Sequence, residues 1–117
     1  MSSKTCVFCR IVGESVPAHI VYQDETVTAF REAAPQAPVH ILIVPNCHIS
    51  SLNAIDDEAD QSLLGALLVT ARKLASELGL DQKGYRLVLN TGPQAGQSVY
   101  HLHVHLLAGR QMQWPPG

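Results

Sequence analysis

The stretch His101-Leu102-His103-Val104-His105-Leu106-Leu107 alternates three histidines with apolar residues near the end of a 117-residue chain. A period of two is typical of a β-strand with one face against a core. On such a strand the imidazoles share one face, with alternate residues roughly 6.6 Å apart, while the apolar side chains point inward. On a helix the same positions would spread around the axis and share no site. The stretch therefore predicts a strand over residues 101–107 that displays a row of imidazoles.

Composition favours a single soluble domain. Hydrophobic residues make up 46% of the chain, and the apolar run 41–44 is far shorter than the ~20 residues of a membrane-spanning helix. Lys4 is not followed by the long apolar segment of a signal peptide. The net charge of −2 argues against electrostatic binding of nucleic acid. We expect a cytoplasmic protein without a membrane or nucleic-acid partner.

The rest of the chain predicts an α+β domain. Val39-His40-Ile41-Leu42-Ile43-Val44 is apolar on both faces, so it should be a central strand covered on each side. The order β-β-β-α-β-β suggests an antiparallel sheet of about five strands with a helix on one face. The other predicted elements are a short helix over 6–12, strands over 19–22, 26–30 and 85–90, and one long helix over 56–78.

The long helix carries a clear apolar stripe. Its first turn would contain Asp56, where a carboxylate suits the helix dipole, and Gly79 would cap its end. The leucines and the alanine that recur at spacings of three and four should face the core. They are Leu63, Leu64, Leu67, Leu68, Ala71, Leu74 and Leu78.

Immediately before the histidine strand comes the glycine-containing loop 91–98. Backbone N–H groups of Gly96-Gln97-Ser98 could cradle an anion, and the serine adds a hydroxyl that donates or accepts. As a glycine-loop signal this is weak alone, but its position beside three histidines strengthens it. The loop and the histidines would form a phosphate-sized site with no arginine or lysine beside it.

Imidazole can attack phosphorus directly as a nucleophile. Its unperturbed pKa of about 6.5 leaves it largely neutral at pH 7, and a neighbouring histidine can deliver a proton to the leaving group. His103 is flanked by both other histidines and is the best candidate nucleophile. The alternative is a row of surface histidines without function, which is an uncommon outcome for three in strict alternation.

Taken together, these segments resemble the histidine triad (HIT) superfamily, and closely its HINT branch, the histidine triad nucleotide-binding proteins. The likeness runs from Cys6 to the last residue. It is carried by the triad 101–107, the preceding segment 96–100 and the tail 110–117, with further matches over 35–40 and 45–50.

The resemblance implies a purine nucleoside phosphoramidase or adenylyl hydrolase, acting through a nucleotidylated histidine. It makes His103 the nucleophile, places His105 on the phosphate and Ser98 near the leaving group, and has His40 and His101 complete the catalytic set. The residues it places around the nucleotide are Glu32, Ala33, Asn90, Gly96, Gln97, Ser98, His103 and His105. Many relatives carry aspartate at the position of Glu32, where the family holds the ribose.

The resemblance also implies a HIT-like fold over residues 1–117 that forms a homodimer with a continuous sheet. The tail 110–117 would then lie at the dimer interface, close to the sites. Met112 and Trp114 suit that location in a chain with few aromatics, and the alternative is a frayed terminus.

The chain has three cysteines, an odd number that argues against a disulfide scaffold. Cys6 and Cys9 form a C-x-x-C pair, which needs two more ligands for zinc, and some microbial-type relatives hold zinc in this way. His48 and His101 are the candidates to complete a structural Cys₂His₂ site. The alternative is two helix-face thiols, and a thioredoxin-like role lacks the βαβ context. Cys47 is interpreted as a strand-end residue.

Three other functions stay open from the sequence. The triad could itself hold a catalytic zinc ion with a bound water, as in a metal-dependent hydrolase. The chain could be a nucleotide-binding regulatory module with little turnover. It could also be a structural dimer with incidental histidines, the least favoured interpretation.

Overall fold

The computed structural model describes residues 5–117, which fold around a five-stranded antiparallel sheet of order β1-β2-β3-β5-β4. This confirms the predicted α+β architecture and element order; Lys4 lies outside the described residues. Among residues 5–117, none of the helices has the length and apolarity needed to cross a membrane. The elements are α1 (Val7–Val12), β1 (Ile20–Gln23), β2 (Val27–Arg31), β3 (Val39–Pro45), a short 3₁₀ helix (Leu52–Ala54), α2 (Gln61–Glu77), β4 (Arg86–Val88) and β5 (Val104–Ala108).

Strand β3 is the centre of the sheet, as its sequence predicts. Ile41 and Ile43 point to the face covered by α2, while Leu42 and Val44 point to the face covered by α1. The expectation that β3 is covered on each side is therefore confirmed, with α2 on one face and the short α1 on the other. Because β3 is apolar on both sides, the six-residue α1 is needed to keep its second face from water.

Helix α2 begins at Gln61, five residues later than predicted. The Asp56 carboxylate accepts hydrogen bonds from the backbone N–H groups of Glu58 and Ala59. This local bonding favours a turn over helix, so the acidic residues precede the helix instead of occupying its first turn. The predicted cap is confirmed: Gly79 has φ +73° and donates its N–H to the carbonyl of Ser76.

The apolar stripe of α2 is narrower than predicted. Leu67, Ala71 and Leu74 are buried against the sheet. Leu68 is 52% exposed and Leu78 43% exposed, so the expectation that both face the core was wrong. A helix turns 100° per residue, and Leu68 is therefore rotated away from the line through 67, 71 and 74.

Strand β5 begins at Val104, three residues after the predicted start. Val104 pairs with Ile43, so Leu102 would pair with Pro45, which has no N–H to donate to a ladder. The Leu102 N–H donates instead to the carbonyl of Ile49 at 2.7 Å. Apolar alternation persists through this irregular part, because Leu102, Val104 and Leu106 all lie in the core under α2.

Candidate active site and metal centre

The backbone fixes the tautomer of His103. Its Nδ1 lies 2.7 Å from the carbonyl oxygen of His101, and a carbonyl only accepts, so Nδ1 carries the proton. A neutral ring then has its lone pair on Nε2. Among the described residues His103 Nε2 has no hydrogen-bond partner, and it is not one of the fully buried unpartnered atoms, so it keeps some exposure although the residue as a whole is buried.

A second chain of hydrogen bonds fixes His105. The backbone N–H of Gln36 donates to His40 Nδ1 at 3.0 Å, so His40 is protonated on Nε2. That Nε2 donates to His105 Nδ1 at 2.9 Å, which leaves the proton of His105 on its own Nε2. This Nε2–H is buried without a partner, a cost of roughly 1–3 kcal/mol that an acceptor oxygen on a ligand would offset.

Burial keeps this histidine pair neutral. Desolvation, followed by the nearby His103 and His40, lowers the pKa of His105 to about 4. Desolvation also lowers the pKa of His40, against the opposing charge of Glu32. Since the rings of His103 and His105 lie 4.9 Å apart between centroids, the site presents a lone pair beside a buried N–H donor.

A cavity of about 650 Å³ is lined by Phe8, whose ring contacts that of His103; His103 and His105 themselves are not in its lining. Three of the predicted nucleotide residues line it, namely Glu32, Ala33 and Ser98. Its apolar walls include Phe8 from α1 and Phe30 from β2. The cavity size falls within the range of small-molecule sites. Arg31 also borders it, although the sequence interpretation placed no arginine near the site.

The loop before the triad uses several of its polar groups in hydrogen bonds within the protein, so it offers fewer free N–H groups than expected. Gln97 accepts the Gly92 N–H through Oε1 and donates through Nε2 to the carbonyls of Ser50 and Val99. The N–H groups of Gly96 and Gln97 donate to the carbonyls of Pro93 and Gly92, so they do not cradle an anion here.

Asn90, the remaining predicted nucleotide residue, is half-buried two residues beyond β4. It is absent from the cavity lining, as are Gly96, Gln97, His103 and His105. Of the loop residues, only Ser98 and Val99 reach the cavity.

The predicted metal ligands meet at the N-terminus of α1. One ligand atom from each of Cys6, Cys9, His48 and His101 lies within 4.8 Å of every other. The Nδ1 of His101 is 3.4 Å from Cys6 Sγ and 3.5 Å from Cys9 Sγ. The Nδ1 of His48 is 3.3 Å from Cys9 Sγ.

These distances fit zinc. Bond lengths of about 2.3 Å to sulfur and 2.0–2.1 Å to nitrogen place tetrahedral ligand atoms about 3.6 Å apart. The Nε2 of His101 lies 2.8 Å from the Pro45 carbonyl, so it carries the proton and leaves Nδ1 as the free ligand atom. Among residues 5–117 this is the only such group of three or more, and it includes neither His103 nor His105.

Phe8 is the site residue that the sequence interpretation did not assign. Its ring meets those of His101 and His103 edge to face, with centroids 5.9 and 5.1 Å apart, and it also lines the cavity. The available signal was its position between Cys6 and Cys9.

Comparison with known proteins identifies the class. The HIT domain model matches residues 14–112, and the histidine-bearing α+β fold agrees with it. The chain therefore belongs to the HIT domain family.

Similar proteins extend over almost the whole chain. The 14 kDa zinc-binding protein of Brassica juncea is 47% identical over 112 residues, covering 95% of this chain and 98% of that protein. The HIT family hydrolase of Legionella pneumophila superposes with a TM-score of 0.93 at 50% identity, covering 97% of this chain and all (100%) of that one. A histidine triad nucleotide-binding protein from Candida albicans gives a TM-score of 0.81 at 30% identity, covering 95% and 83%.

The zinc-binding relative and the Cys6–Cys9–His48–His101 cluster together support zinc as the metal of this chain. All four ligands would come from the protein, so the ion would be structural and would join α1 to the residues before β5. Bound there, zinc supplies a cross-link and no reacting group.

We predict that removing one thiol removes the metal. Cys9→Ser should leave purified protein with far less than the wild-type content of about one zinc ion per chain, measured by elemental mass spectrometry. Cys47→Ser is the matched control, because Cys47 is exposed and outside the cluster, and it should keep its zinc. Equal zinc content in the two variants would rule out the assigned ligands.

We also predict an acid-sensitive contribution from His105. In the unfolded chain its pKa is about 6.5, whereas in the folded chain it is about 4. Between these values the unfolded state binds more protons, so stability falls as the pH falls. Urea unfolding at several pH values should show that the free energy of unfolding falls less steeply with falling pH in His105→Gln than in the wild type. The difference in slope should be at most about 1.4 kcal/mol per pH unit. Identical declines would contradict the assigned shift.

Proposed function

We propose that this chain is a hydrolase that cleaves the P–N bond between a purine nucleoside 5′-monophosphate and an amine, through a nucleotidylated histidine. The observation that carries the proposal is the presence of two neighbouring imidazole nitrogens with different hydrogen-bonding roles: one has a free lone pair and the other carries a proton. His103 offers an unpaired Nε2 lone pair, and His105 offers an unpartnered Nε2–H beside it. A phosphoryl group needs both a nucleophile for phosphorus and a donor for its oxygens.

The proposed reaction has two steps. His103 Nε2 bonds to phosphorus while the P–N bond breaks, and the departing nitrogen keeps the electron pair and takes a proton from solvent. Water then attacks the phosphorus of the nucleotidyl-histidine and loses a proton to solvent, which releases the nucleoside monophosphate and restores the neutral ring. Throughout, His105 donates to a non-bridging oxygen and His40 holds it in the donating tautomer.

The nucleoside would occupy the cavity beside the triad. Phe8 and Phe30 provide apolar walls for a purine, and the Glu32 carboxylate can accept hydrogen bonds from ribose hydroxyls. Ala33 borders the same end. Ser98 lies in the lining with its hydroxyl available to the leaving amine.

The other predicted nucleotide residues have less direct support. Because the Gln97 amide is bonded to backbone, we assign it the role of holding the loop that carries Ser98. Gly96 permits this loop through its positive φ of +84°. Asn90 is proposed for the phosphate end on the resemblance alone.

We predict a covalent intermediate on His103. Brief incubation with a slow adenosine phosphoramidate should give wild-type protein heavier by one adenylyl group in intact-mass spectra. His103→Ala should form no adduct and turn over at least roughly 10²-fold more slowly, while nucleotide binding largely survives.

Ser98→Ala is the matched control at the same cavity. It retains the nucleophile and should still form the adduct. Normal turnover by His103→Ala would exclude covalent catalysis at this residue.

Two other functions are separated by simple measurements. If the chain were a metal-dependent hydrolase with zinc on the triad, activity would follow metal occupancy at His103 and His105. These two residues lie outside the described metal cluster. A nucleotide-binding module with little turnover predicts tight binding but no steady-state hydrolysis of the phosphoramidate. The similar Candida albicans protein is itself a nucleotide-binding protein, which keeps this second candidate open.

We propose further that residues 1–117 form one domain and that two copies associate through their β4 edges and their tails, 110–117. Among residues 5–117, β4 is an edge strand of the sheet, as β1 is at the other side, and an unpaired edge favours strand addition. Leu68 and Val69 on α2 are about half exposed, and Trp114 in the tail is 81% exposed. A cytoplasmic location remains a prediction from composition.

We predict that the wild-type protein sediments at twice the chain mass of 12.7 kDa. Trp114→Ala should shift it toward monomer, because it removes the largest exposed apolar side chain of the tail. Tyr22→Ala, on β1 at the opposite sheet edge, is the control and should stay dimeric. A wild-type protein with the mass of one chain would remove the dimer proposal.

A further inference from the structure

Phe8 lies between the metal centre and the candidate active site and contacts both. It sits between Cys6 and Cys9 on α1 and is buried. Its ring meets the ligand His101 on one side and the proposed nucleophile His103 at 89° between planes. The same ring forms part of the cavity wall. Phe8 therefore lies next to a ligand of the metal centre, next to the proposed nucleophile and in the wall of the proposed nucleotide cavity.

We propose that Phe8 is a positioning residue that couples metal binding at Cys6, Cys9, His48 and His101 to nucleotide binding in the cavity. This inference rests on the proposed function, since it concerns the same cavity. It assigns the zinc cluster a role beyond stability, because the ion would set the shape of the wall against which the nucleotide packs.

The weakness of α1 on its own is the physical reason for the coupling. It has six residues, fewer than an isolated helix needs to form in water. Its N-cap is the Cys6 side chain, whose sulfur accepts from the Cys9 N–H at 3.4 Å. Both of these cysteines are metal ligands, so the ion fixes the first turn. Without it, the helix loses its cross-link to His48 and His101 and keeps its own hydrogen bonds and the packing of Phe8 and Ile11.

Loss of that anchor would reach the cavity directly. Val7, Phe8 and Ile11 are all on α1, and all three line the cavity. A helix that shifts after metal loss therefore moves one wall of the nucleotide site. Phe30, which lines the cavity next to Phe8, is on β2; the ladder to β3 holds it, so it should stay in place.

A separate route leads from the metal to the nucleophile. His101 is a ligand through its ring, and its backbone carbonyl accepts the His103 Nδ1–H. This route does not pass through Phe8. The two routes make different predictions: Phe8 should transmit the effect of the metal on nucleotide affinity, and the His101 carbonyl should transmit its effect on the rate.

The experiment measures adenosine monophosphate binding to the full-length protein, zinc-loaded and zinc-depleted, by calorimetry. In the wild type, depletion should weaken binding roughly two- to tenfold, the size expected from one well-placed aromatic contact. In Phe8→Leu, affinity should be lower and nearly the same in both states. Zinc dependence of kcat should survive in this variant, so that KM and kcat separate.

Phe30→Leu is the matched control. Phe30 lines the same cavity and contacts Phe8 at 5.3 Å between ring centroids, and the described ring contacts place it against neither His101 nor His103. Its replacement should weaken binding in both states while keeping the ratio between them. An unchanged ratio in Phe8→Leu, or a wild-type affinity independent of zinc, would overturn the coupling. Absence of any binding to loaded wild type would instead overturn the proposed function.

If circular dichroism shows that depletion unfolds the chain, the test moves to the loaded proteins. NMR signals of the His103 ring protons should shift in Phe8→Leu, because the neighbouring aromatic ring is lost, and should stay close to wild type in Phe30→Leu. Equal shifts in the two variants would contradict a special role for Phe8.

Discussion

The hydrogen bond from His103 Nδ1–H to the carbonyl of His101, at 2.7 Å, decides what the triad can do. It points the lone pair of the middle ring away from the backbone and leaves Nε2 free. With the opposite tautomer, Nε2 would carry a proton and could not attack phosphorus. Since the acceptor is main chain, this arrangement is built into the path of residues 101–103 and needs no acidic side chain.

That path depends on a proline. Pro45 cannot extend the β3–β5 ladder with an N–H, so the chain before Val104 leaves the sheet and its polar groups find other partners. The Pro45 carbonyl accepts a hydrogen bond from the His101 Nε2–H, which turns Nδ1 toward the two thiols. The same break in pairing thus prepares a metal ligand and, two residues later, a nucleophile. The metal centre and the candidate active site therefore both depend on the same local conformation of the chain before β5.

The sequence predicted what depends on local pattern. Alternation placed Leu102, Val104 and Leu106 in the core, and β-branched residues placed β3 at the centre of the sheet. Family resemblance supplied the four metal-ligand positions, which the fold brings together. These features follow from periodicity or motif, so they can be read from a single chain.

What the sequence did not predict depends on specific contacts, most of them between distant segments. The start of β5 is set by its partner Pro45, and the start of α2 by side-chain bonding of Asp56 that competes with the helix. The exposure of Leu68 depends on how α2 is rotated against the sheet. The partners of Gln97 include a carbonyl 47 positions away. None of these follows from the spacing of residues along the chain.

The most direct measurement is the protonation of the imidazole nitrogens, by nitrogen-15 NMR of labelled protein near neutral pH. We expect His103 to carry its proton on Nδ1, and His105 and His40 to carry theirs on Nε2. A His103 ring protonated on Nε2 would leave the proposed nucleophile without a lone pair at the accessible nitrogen and would contradict the account.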